Sequence, residues 1–287
     1  MSLPHLRTNT GNTSSFFNFE NYSRIVPYRK IKINQIPGGL KVEANSMLPE
    51  KSRQETQERD LNKSGKQKIT VLENGPYLVS GGIPLCTRII TNDPQGYSHH
   101  WRKGVTYPMK TEYSLCRCGR SSTLPFCDGV HVKDGFDGTE TAHTEPYAEH
   151  AEVIDGPDLK LTDLTDLCAS AKFCDRASGI WNLTENSDDP AAKKIAITEA
   201  ANCPSGRLVV WDKKTGNAIE PEFVKSLGLV EYPEKGKKGP IWVRGKIPVI
   251  SADGTPYEIR NRITLCRCGR SSNKPFCDSS HMDPGPE

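Results

Sequence analysis

The chain has 287 residues, enough for two or three small domains, and is only 35% hydrophobic, with 24 Gly and 21 Pro. No apolar run nears the roughly 18 residues that span a bilayer, and no signal-peptide core follows Met1. A net charge of +3 is too small to argue for nucleic acid, so the expectation is an intracellular protein without a membrane span or a nucleic-acid partner.

In chain order, residues 1–70 come first, with twelve Lys+Arg against six acids. Stretches such as "TNTGNTSSFFNFENYS" are polar and lack periodicity, and predict a disordered or targeting tail. Cytoplasm is the expected compartment. Glu20 is the sole acid in the first 42 residues, which keeps a transit peptide, and the mitochondrial matrix, as the alternative.

Residues 71–147 open with a strand-like run, "GPYLVSGGIPL" (Gly75 to Leu85). A long connection containing "TNDPQGYSHHWRKG" then leads to a Cys-rich segment. His99 and His100 in that connection read as solvated, since adjacent side chains point apart, and His143 and His150 in the acidic stretch beyond read the same way. Cys86 reads as a small buried residue. Residues 148–222 form a different unit: strand-like "LKLT", then Cys168 to Cys174, then a helix over "DDPAAKKIAITEAAN" with Pro190 in its first turn. "CPSGRLVVWD" follows as a turn into a strand. Residues 223–287 return to the opening theme. "GPIWVRGKIPV" (Gly239 to Val249) matches Gly75 to Leu85, and Asp253-Gly254 marks a hairpin turn. The predicted class is α+β, small and β-rich: two repeats of β elements plus a Cys loop, flanking an α+β unit.

The ten cysteines cluster rather than scatter, and without an export signal that favours metal sites over disulfides. "LCRCGRSSTLPFCDGVH" (Leu115 to His131) recurs as "LCRCGRSSNKPFCDSSH" (Leu265 to His281). Cys116 and Cys118 are spaced i, i+2, so in extended chain they point the same way. Cys127 and His131 are spaced i, i+4, so a helical turn puts them on one face. Pro125 and Asp128 suit the start of that turn. Gly119 permits close backbone approach, and Ser121 can donate toward sulfur. Cys266, Cys268, Cys277 and His281 repeat the pattern, with Gly269, Ser271, Pro275 and Asp278. Arg117 and Arg267, between the ligands, either offset cluster charge or point to water. Three Cys and one His suit tetrahedral zinc or an iron–sulfur centre, and spacing alone leaves both open.

The pattern C-x-C-x2-S-x3-P-x-C-D-G-x-H resembles the signature of the CDGSH iron–sulfur (NEET) family. The first copy fits at every position: Cys116, Cys118, Ser121, Pro125, Cys127, Asp128, Gly129 and His131. The second departs once, with Ser279 in place of Gly. The resemblance implies a [2Fe–2S] cluster in each copy, one iron on Cys116 and Cys118 and the other on Cys127 and His131. Cys266 and Cys268 are implied to act likewise against Cys277 and His281. Many members are two-fold dimers sharing a β-rich cap, so a tandem chain is expected to build that two-fold internally, as a monomer.

In the middle unit, Cys168 and Cys174 with a distant Cys203-Pro204 resemble a single-cluster ferredoxin of divergent type. Ala171 stands where a bacterial ferredoxin has its middle Cys. Three thiolates suit [3Fe–4S]; [4Fe–4S] requires a fourth ligand from Asp175, a water or elsewhere.

Imidazole in place of thiolate removes a negative charge and eases reduction, and an exposed imidazole also titrates near neutrality. The first reading is an electron-transfer or redox-sensing protein with a redox protein as partner. The alternatives are a carrier that hands [2Fe–2S] to an apo-protein acceptor, and a zinc-stabilised interaction module. The chain shows no nucleotide-binding Gly-rich loop, no G-x-S-x-G elbow and no paired-carboxylate constellation, so a redox carrier is expected rather than an isolated enzyme.

Overall fold

The computed structural model of the protein describes residues 67–284. The tail expected over 1–70 lies outside the described residues up to position 66.

The first Cys-rich half supplies β1 (Lys68–Val71), β2 (Tyr77–Ser80), β3 (Leu85–Asn92), β4 (Ser98–Thr106) and β5 (Glu112–Leu115). A four-residue helix, α1 (Val130–Lys133), and a second, α2 (Tyr147–His150), follow. The middle segment holds β6 (Glu152–Asp155), β7 (Leu159–Asp163), α3 (Ile180–Glu185), α4 (Pro190–Asn202) and β8 (Leu208–Asp212). The last half supplies β9 (Ser226–Tyr232), β10 (Lys237–Arg244), β11 (Val249–Ile250) and β12 (Arg262–Leu265).

The two halves exchange strands. One sheet runs β11-β1-β2-β5 and the other β12-β10-β9-β3-β4. β1 pairs in parallel with β11, Ile69 opposite Val249, while β3 pairs in parallel with β9, Leu85 opposite Leu227. Within each half the register repeats: Tyr77 faces Leu115 as Ile241 faces Leu265. This is an internal pseudo-two-fold. Alternation along the strands sends one face inward, and Ile69, Tyr77, Val79 and Leu115 share a core with Leu227, Ile241, Val243 and Leu265.

The symmetry axis passes between the Cys loops. A Cβ on Gly119 would lie 2.8 Å from the Cys268 carbonyl oxygen, and one on Gly269 would lie 2.5 Å from the Cys118 oxygen. Both glycines also hold positive φ, +79° and +77°. The close approach anticipated at this position is therefore between the two loops themselves.

The first half departs from its twin in one insertion. The stretch read as a long connection is the β3–β4 hairpin, turned at Asp93, whose carboxylate accepts from the Gln95 and Tyr97 N–H groups. Its Trp101 ring packs 5.0 Å from Phe173 and 4.7 Å from Trp242, and its indole N–H reaches Asn202 O. His99 and His100 lie on β4 and do not point apart: their Nδ1 atoms are 3.0 Å from each other, because a register irregularity near Asn92 bends the strand.

The middle segment builds its own small core. Asp189 caps α4 through the Ala191 and Ala192 N–H groups, with Pro190 at the first helical position. Ala192, Ala196 and Ala200 then form a narrow face that lets α4 lie close on the β6-β7-β8 sheet.

Gly119→Ala and Gly269→Ala are each expected to destabilise the protein by roughly 2–4 kcal/mol, combining left-handed strain with a backbone clash. Gly216→Ala, at φ +70° with open space around it, is expected to cost only about 1 kcal/mol. Denaturant unfolding of the three variants checks this difference.

Candidate metal centres

Each Cys loop is fixed by a buried arginine. Arg117 donates from Nε to Gly75 O at 2.9 Å and from Nη2 to Gly138 O at 2.7 Å. Arg267 repeats this from Nε to Gly239 O at 2.8 Å, with Nη2 on Val230 O and Glu231. Neither side chain points to water, and both are buried. The targets are the two Gly-Pro glycines, so the Gly-Pro and Cys-loop repeats are parts of one clamp.

The residues expected as ligand pairs converge in both copies. Cys116 Sγ and Cys118 Sγ are 3.6 Å apart, and Cys266 Sγ and Cys268 Sγ are 3.7 Å apart. His131 Nδ1 stands 3.3 Å from Cys127 Sγ, and His281 Nδ1 stands 3.5 Å from Cys277 Sγ. A tetrahedral ion with sulfur at about 2.3 Å sets neighbouring sulfurs roughly 3.8 Å apart, and S–N pairs slightly closer. The four pairs therefore fit two donors on one metal ion, with Nδ1 as the histidine donor.

The serines have a different task from the one the sequence suggested. Ser121 Oγ donates to Phe126 O at 2.6 Å and Ser271 Oγ to Phe276 O at 2.7 Å. Donation toward sulfur comes instead from backbone N–H groups, as from Gly129 to Cys127 Sγ at 3.4 Å. Asp128 accepts from Ser122 N–H, Ser122 Oγ and Val130 N–H, which hold its carboxyl near 2. Asp278 reaches about 2 as well: burial opposes this, but the Ser280 and Ser272 donors prevail. The second copy forms a 3-10 turn (Ser280–Met282) where the first has α1.

The two sites differ most at histidine. His131 is half-buried, whereas His281 is 5% exposed, with Nε2 unpartnered and its ring 5.5 Å from Tyr232. Burial, aided by Arg267, pushes the His281 imidazole down to about 4. Burial also pushes the Cys277 thiol up. Cys268 is pulled down to about 6 by the Cys266 thiol beside it, which is the member of that pair held protonated. Thiolates are the ligating form, so loading such a site expels protons.

In the middle segment, Cys168, Cys174 and Cys203 line a single cavity with Ala171, Ser205 and Arg207. The 168–174 loop curls through left-handed residues at Ser170 and Lys172. Arg207 bonds Asp163 in a bidentate pair, 2.5 and 2.8 Å, and stands beside Cys168. Burial and the neighbouring Cys203 push the Cys174 thiol up. Asp175, weighed as a fourth ligand, lies 3.5 Å from Cys174 Sγ but faces a different cavity. Ala171 packs with Phe173, Tyr232 and Trp242.

The middle and second sites touch. Ser279 Oγ donates to Cys168 O at 2.7 Å and meets Ser170 Oγ at 2.9 Å. Tyr232, against His281, donates to Ala169 O at 2.5 Å. Arg262, buried on β12, donates to Cys203 O, Ala200 O and Leu208 O. The one departure from the first motif thus sits at a junction. Ser279 also adopts the left-handed φ, +78°, that Gly129 adopts at +86° in the first copy.

Sequence reasoning missed Glu199, one helical turn ahead of Cys203. It is 1% exposed and neither carboxylate oxygen has a partner among the described residues. Burial raises its carboxyl to about 8. The folded state therefore prefers the protonated form, and stability falls as pH rises from about 4.5 through about 8. Glu199→Gln is expected to leave the melting temperature near its wild-type value at pH 4.5 and to raise it at pH 9, by the equivalent of a few kcal/mol. Parallel thermal melts at the two pH values measure this.

Two family models match the chain. One, described as an iron-binding zinc finger of CDGSH type, matches residues 74–132 and 238–282. The other, described as a divergent 4Fe-4S mono-cluster, matches residues 154–213. No curated protein and no solved structure matches. The chain thus carries two regions of the CDGSH iron-binding type, each with its Cys–His loop, flanking a region of the divergent 4Fe-4S mono-cluster type with its three-cysteine cavity.

Proposed function

We propose that the protein carries electrons between three centres: a [2Fe–2S] cluster in each CDGSH region and a third cluster in the middle segment. The ligands are Cys116, Cys118, Cys127 and His131 in the first region (71–147), and Cys266, Cys268, Cys277 and His281 in the second (223–287). Cys168, Cys174 and Cys203 hold the middle cluster (148–222), as [3Fe–4S] or, with a fourth donor, [4Fe–4S]. The observation that carries this reading is the Ser279 hydroxyl bonded to the Cys168 carbonyl, since it joins the loops of two centres directly. Such clusters supply one-electron chemistry when bound. The chain's own residues set the conditions: Arg117 and Arg267 fix the loops, backbone N–H groups face the sulfurs, and Tyr232 excludes water from His281. The protein is a carrier rather than an isolated catalyst, with another redox protein as partner.

A second reading, donation of [2Fe–2S] to an apo-protein, is favoured by the contrast between half-buried His131 and buried His281. Under it the first region is the exchangeable site. Among the described residues, no helix is long and apolar enough to cross a membrane.

Anaerobic purification followed by iron, sulfide and zinc analysis and EPR tests the electron-carrier reading. About seven irons, with an oxidised-state three-iron signal, are expected; about eight fit a four-iron middle centre. About four irons confine the chemistry to the CDGSH regions, and zinc with little iron defeats the redox reading in favour of a binding module. In transfer assays to an apo-ferredoxin, the first region is expected to lose its cluster before the second. His131→Cys is expected to slow that loss, with His281→Cys having the smaller effect. Equal loss rates from the two regions would reject the exchangeable-site assignment.

A further inference from the structure

We propose that His143, Glu145 and His150 bind a divalent transition-metal ion of the zinc class, at a site separate from the cysteine centres. As sequence, both histidines read as solvated residues of an acidic stretch. In the fold, ligand atoms of all three residues lie within 4.8 Å of one another. His143 Nδ1 stands 3.7 Å and His150 Nε2 3.9 Å from the same carboxylate oxygen, Glu145 Oε2. The two imidazole rings stack 4.9 Å apart at 23°. A tetrahedral ion with nitrogen and oxygen donors at about 2.0–2.1 Å places neighbouring donors roughly 3.4 Å apart. The two histidine–carboxylate distances exceed this by a few tenths of an ångström, and the two imidazole donors, within 4.8 Å of each other, close by up to about 1.4 Å, which rotation of the exposed side chains supplies.

The supporting backbone is clamped on both sides. Thr141 and Ala142 N–H donate to Lys274 O at 2.8 and 2.9 Å. Tyr147 N–H donates to Glu258 at 2.8 Å, and Tyr147 Oη donates to Arg207 O at 2.8 Å. The donors are thus displayed on an anchored turn, which lowers the ordering cost of binding. Neither imidazole makes another hydrogen bond to protein among the described residues, and all three side chains are open to solvent, so an ion has an entry path.

Two imidazoles and a carboxylate are a donor set for zinc and its first-row neighbours, and contain no sulfur. Three protein donors leave a four-coordinate ion one open position. The triad borders a cavity of about 190 Å³ whose wall also carries Glu258 and Arg260. Arg260 lies over the Tyr147 ring, and its Nη1 is buried without a partner. The fourth position therefore has space beside it and a cation in the wall.

The test uses the full-length protein purified anaerobically with its clusters. Zn²⁺ is titrated against a chromophoric chelator while the visible cluster absorbance is followed. One added zinc per chain is expected, with cluster absorbance unchanged. The paired substitution His143→Ala with His150→Ala should abolish that zinc, and Glu145→Gln should weaken it more than about tenfold. His99→Ala with His100→Ala should leave it unaltered, and circular dichroism should show all variants folded. The same zinc stoichiometry in wild type and the His143/His150 variant would overturn the proposal, as would uptake that bleaches the clusters equally in both. Because cluster absorbance is recorded separately, failure here is distinct from failure of the iron–sulfur reading.

Discussion

The architecture depends on the contact of two backbones. Gly119 lies on Cys268 and Gly269 lies on Cys118 at distances that leave no room for a methyl group. That contact brings the two Cys loops back to back. It also determines how the strands can pair, since each half must lend its third strand to the other half's sheet. A shared hydrophobic core then forms from inward-facing residues of both halves. A separate bead of about 60 residues buries too little surface to be robust. Two interleaved beads bury one common core, and the joint covalent chain removes the concentration dependence that a dimer would carry.

The pseudo-symmetry is broken where the middle segment attaches. Ser279 replaces the first copy's Gly129 and directs its hydroxyl at the Cys168 carbonyl. Arg262 on β12 spans the carbonyls at the end of α4, including that of Cys203. The middle cysteines are thus held from two sides by the second half. The first half contributes the β3–β4 hairpin, whose Trp101 closes the apolar patch around Phe173 and Trp242. Its own Cys–His loop remains apart from that junction, and His131 stays half-buried. A single chain thereby presents one sealed and one accessible Cys–His site built from nearly the same seventeen residues.

Much of this was legible from residue spacing. The i, i+2 cysteines and i, i+4 Cys–His pairs converge, but not through the regular periods. Cys116 and Cys118 lie in a bend just after β5, and Cys127 precedes the helical turn of His131, with left-handed Gly129 between them. α4 does begin where Asp189-Pro190 predicts. The Gly-Pro repeat also marked equivalent strands. What spacing could not carry was partnership across long separations. The strand exchange pairs residue 69 with 249, a choice made by the shared core and invisible in local pattern. The "TNDPQGYSHHWRKG" stretch looked like a loop because Gly, Pro and polar residues dominate it. It folds as a hairpin because β9 offers it an edge. Ser121 and Arg117 were read by what their side chains can do, but each donates to a backbone carbonyl.

The buried arginines connect these levels. Arg117 and Arg267 each stand between two cysteines of one proposed ligand pair, where a cation would be expected to moderate cluster charge. Their guanidinium groups instead satisfy buried carbonyls of the Gly-Pro turns, where an orphaned acceptor would cost about 1–3 kcal/mol. The backbone position of each ligand pair is thereby tied to the first strand turn of its own half. Any shift of a Cys loop would break those bonds and drive Gly119 or Gly269 into the opposing carbonyl. The Cys116 and Cys118 sulfurs are held 3.6 Å apart by the same contacts that hold the two sheets together. The fold and the spacing of the paired sulfurs are therefore set by one network.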